Sequence, residues 1–128
     1  MSYFISKIIS TDFDTAINQV TDKLKKEGFG VLTEIDVQET LKKKIDVDFR
    51  KYRILGACNP PNAYKALSAE PHIGLMLPCN VVVQETDDGN IDVSAVDPQA
   101  SMQAVNNPDL AQIAGEIKSK LERIINSL

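Results

Sequence analysis

The last twenty-one residues, from Pro108 to Leu128, constrain the fold more than any other stretch. Their apolar positions are Leu110, Ile113, Ala114, Ile117, Leu121, Ile124, Ile125 and Leu128. That spacing follows the 3.6-residue period and draws one apolar stripe along about five helical turns. Asn107 stands where a helix cap belongs, and Pro108 occupies the first helical position, where its missing N–H costs nothing. A helix with one greasy side must bury that side against something, so the rest of the chain has to supply a matching surface.

A second stripe lies near the other end, at Phe13, Ala16, Ile17, Val20 and Leu24. Thr11 is the expected cap, Lys25 and Lys26 suit the negative end of the helix dipole, and Gly28 stops it. Between and before the two helices, five runs read as strands. They are "YFISKII", "FGVLTEIDV", "YRILGAC", "LPCNVVVQET" and "IDVSAV". Alternation in the second run predicts Phe29, Val31, Thr33, Ile35 and Val37 on one half-buried face, and in the third it groups Tyr52, Ile54, Gly56 and Cys58.

Short helices are expected at "QETLKKKI", at "NPPNAYKALSA" after an Asn59 cap, and from "DPQASMQAV". Asp88-Gly89 between the last two strands predicts a type I′ hairpin turn. Strands that follow one another without full crossovers favour antiparallel pairing. The expectation is one α+β domain over residues 1–128, in the order β-α-β-β-β-β-α, with the two long helices on one face of a sheet of about five strands.

Composition narrows the function classes. The 43% hydrophobic and 25% charged content is that of an ordinary globular domain. No run approaches the roughly 18 apolar residues of a membrane helix, and the N-terminus lacks a leader pattern, so a cytoplasmic protein without a membrane partner is expected. The cations cluster in "LKKK" and "FRKYR", but Asp and Glu interleave with them and the net charge is −4. A solvated helix face explains that pattern better than a nucleic-acid patch.

The chemistry-bearing residues concentrate in "GACNPPNAYKALSAEPHIGLMLPCNVVVQ", which holds both cysteines and the only histidine. Cys58 ends the third strand and Cys79 begins the fourth. If these strands are antiparallel neighbours, the two cysteines are expected to face each other, with Cα atoms about 4.5–5.5 Å apart. Four readings stay open. The cysteines are small core residues, or they form a redox-responsive pair beside a helix N-terminus. Alternatively, Cys58, Cys79 and His72 hold a soft metal, or the Asn59 and Asn80 amides with the helix N-terminus hold a small anion.

No catalytic triad or phosphate loop can be assembled. Gly28 and Gly30 read as a helix stop and a turn, and Asp87, Asp88 and Asp92 as turn acids. The function expected is a non-enzymatic binding or structural module, with a small-ligand or soft-metal site formed by Cys58, Asn59, Cys79 and Asn80. The alternative is a thiol-based redox-responsive protein or enzyme using Cys58 and Cys79, and no cofactor is specified.

The segments "YRILGACNPPNAYKAL" and "IGLMLPCNVVVQE" also carry a resemblance. With Cys58-Asn59-Pro60, Pro78-Cys79-Asn80 and the "AVDP" that ends at Pro98, the chain resembles the bacterial and archaeal family known as domain of unknown function 302, closely over Ile35 to Pro98. The resemblance implies a TATA-binding-protein-like α+β sheet and a homodimer, and it brings no reaction with it.

Overall fold

The structure, a computed structural model, describes residues 2–128. Strand β1 (Phe4–Ile9) leads into helix α1 (Phe13–Lys26), β2 (Gly30–Asp36), α2 (Val37–Ile45) and β3 (Tyr52–Cys58). Helix α3 (Pro60–Ala69) and a 3₁₀ turn (Pro71–Met76) precede β4 (Cys79–Glu85). Then come β5 (Ile91–Val96), the single turn α4 (Pro98–Ser101) and α5 (Pro108–Asn126). The five strands form one sheet in the order β1-β5-β4-β3-β2, every pair antiparallel. This is the α+β arrangement anticipated from the patterning.

The core lies between one sheet face and the stripes of α1 and α5. Leu55, Ala57, Val81, Val83, Ile91, Val93 and Ala95 supply the sheet side. Phe13, Ala16, Val20 and Leu24 of α1 and Leu110, Ile117, Leu121, Ile124 and Ile125 of α5 supply the helical side. Each fully buried Leu or Ile here contributes about 2 kcal/mol of transfer free energy. Cys79, Val81 and Val83 alternate inward on β4 and Ile91, Val93 and Ala95 on β5, so the pleat itself sorts core from exterior.

Three local expectations are corrected. Asp12, not Thr11, caps α1. Its carboxylate accepts from the Thr15 N–H and the Thr15 hydroxyl, both at 2.8 Å. The β4–β5 loop is not type I′, which needs a left-handed conformation at two successive residues. Here Gly89 (φ 83°) is left-handed and Asp88 is not. The Gly89 N–H instead closes a turn on the Thr86 carbonyl at 3.0 Å.

The third correction matters most for the site. A bulge at Leu32 shifts the β2–β3 register, so Val31 lies opposite Ala57 while Thr33 lies opposite Gly56. The extra residue flips the parity of the strand. Val31 packs toward the core, whereas Thr33 and Ile35 turn to the open face, and Leu32 is left 67% exposed at the sheet's end.

Candidate functional site

The cap chemistry of α3 brings the site together. Asn59 follows β3 directly, and its Oδ1 accepts from the Asn62 N–H at 3.3 Å. Pro60 and Pro61 fill the first two helical positions and bring no N–H to satisfy, so Asn62 is the first helical donor in need of an acceptor. The other end of the same amide donates from Nδ2 to the Glu27 carbonyl at 3.3 Å. Asn59 therefore ties the start of α3 to the end of α1. Gly28 (φ 84°) makes room for that contact, because a Cβ there would sit 3.1 Å from Asn59 Nδ2.

The cysteines meet differently from the expectation. The strand ends do converge, but the register places Cys79 opposite Ala57 and Cys58 opposite Gly30. Cys58 is thus offset by one residue from the position that faces Cys79, so strand alternation turns the two side chains away from each other and they are not a facing pair. Cys79 belongs to the core cluster, Cys58 is half-buried, and both are free thiols. Burial, and after it the nearby Cys58, pushes the Cys79 thiol up to about 11. At neutral pH it is a protonated, apolar thiol.

Both thiols line one cavity of about 290 Å³. Its walls come from five places. Phe29 and the bulged Leu32 flank the start of β2, and Ala57, Cys58 and Cys79 form the sheet edge. Asn59, Asn62, Ala63, Ala66 and Leu67 come from α3, while Gly74, Leu77 and Pro78 close the 3₁₀ side and Ile117 reaches in from α5. None of these lining residues is charged. The Pro78 ring and the Thr33 side chain also crowd Gly56, where an added Cβ would lie 2.7 Å from Pro78 Cγ and 2.1 Å from Thr33 Oγ1.

Of the four candidate residues, the structure gathers Cys58, Asn59 and Cys79 and leaves Asn80 out. Asn80 alternates to the opposite face of β4, where it is exposed beside Tyr52, Val82 and Gln84. The pleat makes this unavoidable, since neighbours on a strand point to opposite sides. His72 is also elsewhere. It stands on the 3₁₀ turn with its side chain 87% exposed, and its Nδ1 lies 3.6 Å from Glu70. Among the described residues no three His, Cys, Asp or Glu side chains converge on a metal position, so Cys58, Cys79 and His72 do not form the expected ligand set.

Sequence reasoning missed Leu32, Leu67, Ile117 and Asn62. The first three are silent in a sequence, because a bulge and a helix crossing decide where they point. Asn62 left a signal in the "NPPN" spacing, which sets two amides one turn apart at the mouth of α3.

Half of the six cations of "LKKK" and "FRKYR" are in ion pairs among the described residues. Lys42 binds Asp46 and Asp48, Lys43 binds Glu39, and Arg53 bridges Glu34 and Asp36. Arg50 stacks on the Phe49 and Tyr52 rings, 4.4 and 5.4 Å from their centroids. No helix is long and apolar enough to cross a membrane among the described residues.

No curated protein matches the chain. A solved structure does: the crystal structure of an uncharacterized conserved DUF302 protein from Bacillus stearothermophilus is 31% identical and covers 98% of both chains, with a TM-score of 0.91. The model of the domain of unknown function DUF302 matches residues 5–128. Residues and fold agree, and the chain belongs to the DUF302 family.

Proposed function

We propose that this chain is a small-molecule binding module whose site is the cavity at Cys58, Asn59 and Cys79. One observation carries the reading: two motifs twenty residues apart supply walls of a single concave, mostly apolar space of about 290 Å³. Ligand pockets combine these traits, an apolar lining with a few polar groups, and this one sits at the small end of their range. Exposed Leu32 and Leu67 frame its mouth, so an apolar molecule meets favourable surface on entry.

The test is a titration of ¹⁵N-labelled protein with small organic probes, followed by amide chemical shifts. The reading expects shifts clustered at Leu32, Cys58 to Leu67 and Leu77 to Cys79, and their loss in Ala63→Leu, which fills the space from its rim. Scattered shifts, or shifts that Ala63→Leu leaves untouched, sink it.

A second reading, a redox-responsive pair in which an external oxidant joins Cys58 and Cys79 as a disulfide, draws on their place along one cavity. It requires a two-hydrogen mass loss on mild oxidation of the folded chain, and a mass that does not change removes it.

A further inference from the structure

The cavity holds one polar group that the fold does not use. Asn62 is 5% exposed, and its residue lines the cavity. Its backbone N–H is taken by Asn59, yet its side-chain amide has no hydrogen-bond partner among the described residues. The amide is not wholly sealed, since the one fully buried side-chain atom without a partner among the described residues is Arg53 Nε, so in an otherwise greasy space it is the polar group left open to an incoming molecule.

Asn59 beside it is explained, because both ends of its amide are engaged in capping and in the tie to Glu27. Asn62 plays no such part. A Leu of the same branched outline would carry no polar group here, and the walls around it, Phe29, Leu67, Leu77 and Ile117, are apolar.

From this we infer that Asn62 is the specificity-determining residue of the cavity, and that the ligand is an uncharged molecule with an apolar body and an amide-like head. The inference rests on the binding reading above and names the class of ligand. The side-chain carboxamide of Asn62 offers one acceptor and two donors. A carboxamide, lactam or imide satisfies both kinds at once. An ionised acid does not, because no cation lines the space to replace its hydration. At interior packing density the cavity accommodates on the order of ten non-hydrogen atoms.

The experiment compares hexanamide, 2-heptanone, hexanoate and toluene by chemical-shift titration at pH 7 on wild type, Asn62→Leu and Asn62→Ala. Two variants are used so that the result does not depend on one of them folding. The expected result is that hexanamide binds wild type most tightly, hexanoate most weakly, and that both variants lose about tenfold for hexanamide while toluene is held or gains. Equal affinity of the variants and wild type for hexanamide overturns the inference, as does hexanoate binding as tightly as hexanamide. Toluene binding without any amide preference leaves the cavity as a site and removes only the role of Asn62. Failure of all four probes removes the binding reading and this inference together.

Discussion

Asn59 holds the Glu27 carbonyl with its side-chain N–H at 3.3 Å, joining residues 32 apart in the chain, while its oxygen caps α3. One side chain thus does two jobs. Replacing it by Ala removes both, and the cap alone is worth about 1 kcal/mol. Asn59→Ala is expected to lose about 2 kcal/mol in urea unfolding. Asn59→Ser keeps an acceptor for the cap and loses the donor to Glu27, so it should fall between wild type and Asn59→Ala. A loss in Asn59→Ser equal to that in Asn59→Ala would mean that the tie to Glu27 carries everything and the cap nothing.

Gly56 is kept small by its neighbours. A methyl group there meets Thr33 Oγ1 at 2.1 Å and the stiff Pro78 ring at 2.7 Å. Gly56→Ala should therefore destabilise by about 2–3 kcal/mol through overpacking. Adding Thr33→Ala relieves one of the two clashes and should recover part of that loss in a double-mutant cycle. Simple additivity of the two substitutions would contradict this account.

The thiols differ in access, which alkylation reads directly. Iodoacetamide at pH 8 should modify Cys58 in the folded protein and leave Cys79 until urea unfolds it, with the adducts located by peptide mass. Two equally fast modifications in the folded state would show that Cys79 is not shielded.

Cys79 also ties stability to alkaline pH. Its pKa is raised from an ordinary 9.0 to about 11 by burial. The unfolded chain therefore releases this proton first. Stability is intact below pH 9, falls between pH 9 and 11, and is flat beyond. The loss is on the order of 2 kcal/mol. Urea midpoints from pH 8 to 11 should drop more steeply for wild type than for Cys79→Ala, and parallel curves would exclude the linkage.

Arg123 grips Glu27 with two hydrogen bonds, at 2.9 and 3.2 Å, and the hydrogen bond from Arg123 is what chiefly holds the Glu27 carboxyl below its ordinary range. A depressed carboxyl contributes stability above its unfolded pKa and loses it as pH falls through the folded one. The pair is solvent-facing, so its contribution is small and screened. Arg123→Gln should cost a little at pH 7 in low salt and nothing at pH 2 or in 1 M NaCl. A cost that survives both conditions would place the role of Arg123 in packing.

The patterned parts of this protein were legible from the residues alone. The stripe from Leu110 to Ile125, the caps at Asn59 and Asn107, and the alternation of β4 and β5 follow from local periods that the backbone geometry imposes. The same rules placed Cys58 and Cys79 at adjoining strand ends. They failed wherever one residue of register decides the outcome. The bulge at Leu32 reversed the parity of β2, and pairing Cys79 with Ala57 moved Cys58 one residue out of register with it. Asn80 left the site because a strand alternates, and His72 left it because the 3₁₀ turn carries it into solvent. Above all, the cavity belongs to the tertiary structure. Phe29, Leu32, Asn62, Leu67, Leu77 and Ile117 come from four separate segments. Their meeting is set by how α3 and α5 pack across the end of the sheet, and that long-range packing leaves no local period to read.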